Sequence, residues 1–181
     1  MNSKDYRNYA PVTFWSLNSK LNKEEAARQL KEFANAGFGG GFLHSRVGLI
    51  TSYMSEDWLD FIEFCVDEGN DFGLNMYLYD EDMWPSGYGE GKISKEDESF
   101  REKTLVLVDE SEIVEGDEVV CDFKGKKVAI RATENGYVRF NGGCFTDEMN
   151  PFAVKAFISS VHDVYFKKMS DRFGSKIKGI F

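Results

Sequence analysis

The chain has 181 residues, is 42% hydrophobic, and carries 31 Asp+Glu against 22 Lys+Arg, a net charge of −9. That length and apolar content suit one sizeable core and exclude a disordered chain. The acidic balance repels phosphate backbones and excludes nucleic acid as the natural partner.

The first predicted element is a buried strand at "PVTFWSL", residues 11 to 17, which is β-branched and aromatic. Asn22 then opens a helix as its N-cap, with Glu25 three residues on in a capping-box arrangement. Ala26, Ala27, Leu30, Phe33 and Ala34 fall on one face at helical spacing, and Gly37 supplies the stop. "FGGGFLH", residues 38 to 44, is a second strand whose glycines admit a close neighbour. Ser55 caps a second helix, with Glu56 and Asp57 at its positive end. Trp58, Phe61, Ile62, Cys65 and Val66 form its apolar stripe, and Gly69 and Gly73 bracket its exit. "LNMYLY", residues 74 to 79, is the third strand.

Residues 101 to 145 change character. "TLVLVDE", "EVVCDF", "KKVAIRA" and "GYVRFNG" read as four short strands, with a hairpin turn at "ENGYV". This predicts a small antiparallel insert. Asn150 and Pro151 then start a long amphipathic helix that runs through Met169 and closes at Gly174. "KIKGIF" is a fourth strand in the series. The order β-α-β-α-β-[β insert]-α-β predicts a parallel sheet with right-handed crossovers, over a single domain spanning 1–181.

Ligand sites in such sheets collect at the carboxyl ends of the strands. Here the third strand runs into "DEDMWPSGYGEG", with Asp80, Glu81 and Asp82 followed by Trp84 and a Gly-rich loop. The first strand ends on Trp15, Ser16 and Asn18, and the second on His44, Ser45 and Arg46. Paired carboxylates with aromatic platforms are the tools of sugar chemistry: one carboxyl protonates the leaving oxygen, and the other attacks or activates water. Asp80 and Glu81 are the catalytic candidates. Trp15, Trp84 and Tyr88 are candidate stacking platforms, and His44 and Arg46 candidate partners for hydroxyls. Adjacent strand residues point to opposite faces, so Asp80 and Glu81 share a pocket only if the strand has ended before them. The Gly-rich loop lacks the Lys-Ser/Thr of a phosphate loop, and no EF-hand pattern occurs. A sugar isomerase would need more metal-ligating histidines than the chain's two.

The three cysteines, Cys65, Cys121 and Cys144, have neither disulfide-framework nor zinc spacing. The opening "MNSKDYRNYAPV" has no apolar core of a leader, and no run is long enough to span a bilayer. The expectation is a cytoplasmic protein with no membrane partner.

The run "GGGFLHSRVGLITSYMSEDWLDFIEFCVDEGNDFGLNMYLYDEDMWPSGYGEGKI" resembles the amino-terminal barrel segment of glycoside hydrolase family 106, the α-L-rhamnosidase group. The motif elements are His44 and Arg46, Gly48 and Leu49, Tyr53, Ser55, Trp58, Tyr79 to Glu81, and Trp84 to Gly87; Met54 stands where the family has Leu. "TDEMNPFAVKAFISSVHDVYFKKMSDRFGSKIKGIF" resembles the next helix and strand. The resemblance implies a (β/α)8 barrel, calcium-assisted inverting hydrolysis and rhamnose-containing substrates. Family members are several times longer, and their principal carboxylates are expected beyond the match. The expected fold is therefore α/β, a half TIM-type barrel with an antiparallel insert at 101–145. The expected function is that of a truncated or fragmentary rhamnosidase-like protein, inactive as this chain alone. The alternative is a non-catalytic half barrel or sugar-binding module. Open edges on a four-stranded half barrel further predict a homodimer or higher oligomer.

Overall fold

The computed structural model describes residues 9–83 and 86–181. In chain order its elements are β1 (Val12–Leu17), α1 (Lys23–Asn35), β2 (Gly40–Ser45), α2 (Glu56–Asp71), β3 (Asn75–Asp82), α3 (Ile93–Glu96), β4 (Lys103–Val108), β5 (Glu118–Phe123), β6 (Lys126–Ala132), α4 (Pro151–Phe157), α5 (Asp163–Met169) and β7 (Ile177–Ile180). They fall into two units, one of Met1–Ser86 with Ser160–Phe181 and one of Gly87–Ser159.

The first unit is built on a parallel sheet of order β1-β2-β3-β7. Helices α1 and α2 start where the sequence supplies a cap. The Asn22 side chain accepts from the Glu25 amide at 2.8 Å, and the Ser55 hydroxyl accepts from the Trp58 amide at 3.2 Å. Glu25 does not close a capping box; its carboxylate takes Arg28 and Gln29 instead. Gly37, at φ 85°, turns the chain out of α1 in the left-handed conformation. Gly40 meets a different need: a Cβ there would lie 1.9 Å from the Asn75 carbonyl oxygen, so only glycine lets β2 and β3 approach this closely.

The period of two sorts the sheet's side chains into two faces. Trp15, Leu17, Leu43, Met76 and Leu78 are buried on one face. This face meets the helices: the Trp15 ring packs edge-on against Phe33 of α1 at 5.6 Å. Leu30, Trp58, Ile62, Cys65, Tyr165 and Met169 complete the core. Inside it, Trp58 Nε1 donates to the Tyr165 hydroxyl at 2.9 Å. That hydroxyl donates in turn to the Tyr79 carbonyl at 3.4 Å. The other face carries Phe14, Phe42 and Tyr77 in a row, with ring centroids 4.9 and 4.8 Å apart. Arg172 and Lys176 tie the approach to β7 onto Asp67 of α2 at 2.9 and 2.7 Å.

The half-barrel expectation is corrected by this topology. The structure holds a four-stranded parallel sheet and a separate three-stranded antiparallel one. The regular strand–helix alternation stops at β3. Its connection to β7 is not one βα unit, because it passes through the whole second unit, residues 87–159. A separate compact unit with its own sheet breaks the repeat that a half barrel requires.

The second unit holds the antiparallel sheet, ordered β4-β6-β5. Its hairpin turns at Lys124 and Gly125, both with positive φ, as a tight right-twisted connection demands. The expected fourth strand, "GYVRFNG", is a 3-10 turn at Val138–Phe140. Glycines at 136 and 142 fold the run back on itself, with the Gly142 amide donating to the Tyr137 carbonyl at 2.9 Å. Asp117 receives a two-pronged bond from Arg131 at 2.8 and 2.7 Å, which holds its carboxyl down to about 2. Asn150 caps α4, with Pro151 in its first turn. The single long helix of the sequence reading is divided: a π-helical segment, Ile158–His162, stands between α4 and α5.

Candidate functional site

The third strand does not end before the carboxylates. It runs through Asp80 and Glu81 to Asp82, and the period of two is broken there by a bulge. Leu43 stands opposite Leu78, but Ser45, two residues on, stands opposite Asp82, four residues on. The three carboxylates therefore go to different partners. Asp80 is 8% exposed. Its Oδ1 accepts from the Ser86 hydroxyl at 2.7 Å, and its Oδ2 lies 3.3 Å from His162 Nε2. Glu81 is fully buried, and its Oε1 accepts from the Asp82 amide at 2.8 Å. Asp82 accepts from the Ser45 hydroxyl at 2.5 Å.

The sheet's aromatic face gathers a different set. Tyr79 lies 4.0 Å from His44, ring to ring, and stacks on Phe181 at 5.7 Å. Phe14 meets His44 edge-on at 5.2 Å and Phe181 at 5.5 Å. A cavity of about 410 Å³ opens on this face, lined by Phe14, Ser16, His44, Arg46 and Phe181. His44 is buried, with Nε2 3.0 Å from the Met83 carbonyl. A carbonyl only accepts, so Nε2 carries the proton and the neutral ring keeps its lone pair on Nδ1. Burial pushes the His44 pKa below the usual imidazole value against the opposing effect of that carbonyl bond, and the Arg46 charge pushes it the same way as burial. The ring is thus neutral at pH 7. Met83 holds a left-handed φ of 74°, a strained conformation for methionine, immediately after the acidic run. Behind the wall, burial raises the Tyr79 hydroxyl to about 12, with Asp80 and Glu81 adding to the shift.

The candidates named from sequence are thus dispersed. His44 and Arg46 come together on the cavity. Asp80 bonds Ser86 and His162 and, with Glu81, is absent from the described cavity lining. Trp15 faces the helices, where its Nε1 donates to Gln29 at 2.7 Å, and it lines a smaller cavity of about 180 Å³. Tyr88 belongs to the second unit, fully buried and packed on Phe140 at 5.2 Å. Trp84 lies outside the described residues. Sequence reasoning missed Phe14, Phe181 and His162. Phe14 was within reach: the period of two pairs it with Phe42 and sets Ser16 beside His44. His162 gives no local signal, since 82 residues separate it from Asp80.

Calcium, implied by the family resemblance, needs several oxygens converging on one point. Among the described residues no group of three or more His, Cys, Asp or Glu gathers as a metal site. The divergent bonds of Asp80, Glu81 and Asp82 do not fit such an ion. No helix among the described residues is long and apolar enough to cross a membrane.

No family model matches the chain, and no curated protein matches it. Among solved structures, the chain is similar to a rhamnosidase from Novosphingobium sp. PP1Y, with a TM-score of 0.43 and 17% sequence identity over 71% of this chain. The matched part spans 12% of that rhamnosidase chain.

Proposed function

We propose that this chain is a rhamnosidase-related carbohydrate-recognition unit that binds sugar without hydrolysing it. The observation that carries this reading is the composition of the 410 Å³ cavity: two aromatic rings, Phe14 and Phe181, beside the polar groups of Ser16, His44 and Arg46. Aromatic faces take the apolar side of a pyranose, and a few convergent donors and acceptors fix its hydroxyls. Hydrolysis needs two carboxyl groups flanking the scissile bond. Asp80 and Glu81 are engaged within the protein and are absent from the described lining. Their role in this reading is to hold the end of β3, so that the cavity wall keeps its shape.

The test is calorimetric titration with methyl α-L-rhamnoside, run beside a release assay on an aryl α-L-rhamnoside. Saturable binding without release is expected, and Phe14→Ala should weaken it about tenfold. Release of the aryl group by the purified chain would overturn the non-catalytic reading. Absence of binding at millimolar sugar would overturn the recognition reading. Self-association is a second reading. It is favoured by the two edge strands of the parallel sheet, β1 and β7, which carry or adjoin the exposed Phe14 and Phe181. A concentration-independent monomer in light scattering would remove it.

A further inference from the structure

We propose that the ligand of this cavity is an acidic saccharide, a sugar whose carboxylate pairs with Arg46 while its ring rests against Phe14 and Phe181. The inference deepens the carbohydrate reading above and rests on it. Its first support is the state of Arg46. The chain has nine more acidic than basic side chains (31 against 22), and its other described arginines follow that excess. Arg28 pairs with Glu25 and Glu32, Arg101 with Glu98, Arg131 with Asp117, and Arg172 with Asp67; Arg139 is also engaged. Arg46 alone among them is exposed on a cavity with no ion pair or side-chain hydrogen bond to a described residue. A guanidinium is a planar fork matched to a carboxylate.

The second support is the charge of the lining. It holds no Asp or Glu side chain among the described residues, and His44 commits its Nε2 proton to the Met83 carbonyl. Arg46 is therefore the charged side chain of the described lining. The third support lies in the wall. The Tyr79 hydroxyl is buried without a hydrogen-bond partner among the described residues. Its ring packs on His44, Phe14 and Phe181, three of the five lining residues. Tyr79 is itself buried and outside the lining, so its part is to hold those three residues in place. The two phenylalanine rings meet at 88°, and Ser16, His44 and Arg46 complete the lining around them.

The experiment compares D-galacturonate with D-galactose, which differ at one carbon, by calorimetry on the full chain at low and high salt. Galacturonate should bind roughly tenfold or more tightly at low salt, and the ratio should shrink as salt rises. Arg46→Gln should bring the ratio close to one, and Arg46→Lys should restore part of it. The substitutions sit on an exposed side chain, and circular dichroism checks that the fold persists. A native ratio near one, or a preference that survives Arg46→Gln, overturns the proposal. Binding of galactose and methyl α-L-rhamnoside without any gain for galacturonate would sink this inference alone. Failure of every sugar to bind would sink the carbohydrate reading with it.

Discussion

Replacing Asp80 separates a structural role from a binding role. Its carboxylate accepts a 2.7 Å bond from Ser86, and hydrogen bonds to a charged group contribute about 1.5–3 kcal/mol. The His162 contact is longer, 3.3 Å, and that side chain is 33% exposed, so it adds less than about 1 kcal/mol. Alanine removes the carboxylate that both Ser86 and His162 contact, at a position that is 8% exposed; the expected cost is about 2–3 kcal/mol. For a chain of this size that lowers Tm by roughly 4–12 °C. Asparagine keeps the shape and one acceptor oxygen, so Asp80→Asn should cost about half as much. Thermal unfolding followed by circular dichroism gives the stability, and calorimetry with methyl α-L-rhamnoside gives the affinity below the transition. A loss of stability with affinity kept within about threefold is expected. Unchanged Tm with binding abolished would refute the reasoning and return Asp80 to the binding site.

Three further outcomes follow from the same geometry. Gly40→Ala drives a Cβ to 1.9 Å from the Asn75 carbonyl oxygen and should cost about 1–3 kcal/mol or more in chemical denaturation, whereas Gly41→Ala, whose Cβ would sit 3.5 Å from Thr13 Cγ2, should be mild. Equal effects would contradict the close β2–β3 approach. Tyr165→Phe leaves the fully buried Trp58 Nε1 without its acceptor and should cost about 1–3 kcal/mol; a Tm within 1 °C of native would show that the bond is replaced. His44 has a folded pKa below its unfolded value, so the unfolded chain binds more protons between the two. The stability from keeping the ring neutral is full above the unfolded pKa of about 6.5 and is lost as pH falls below it. Denaturation midpoints should drop from pH 7 toward 5, and His44→Gln should flatten that slope.

Local signals carried three of the helix starts. Asn22, Ser55 and the Asn150–Pro151 pair cap helices where the sequence set them, because a cap is a contact within three residues. The site was less legible. The sequence reading took Trp15 as a sugar platform from its residue type, but the face is decided by parity along β1, and parity gives Phe14 to His44. Residue type alone ends the strand at Tyr79 and sets the acidic run beyond it, whereas the strand runs on to Asp82. The bulge that keeps Asp80 to Asp82 inside β3 depends on register with β2, which adjacent residues do not encode. Likewise the π segment that divides the last long helix leaves the apolar spacing intact, so periodicity alone predicted one helix. The half barrel failed at its long-range step. Alternation of strands and helices predicted the repeat, and a run of short strands does not announce that it will close as a separate unit.

The most direct test of carbohydrate recognition without hydrolysis is a chemical-shift map of the isotope-labelled chain during titration with methyl α-L-rhamnoside. Shifts concentrated at Phe14, Ser16, His44, Arg46 and Phe181, with the glycoside intact at the end, are the predicted result. Saturating sugar that leaves those five signals in place, or shifts that gather on Asp80 and Glu81 with free rhamnose accumulating, would contradict it.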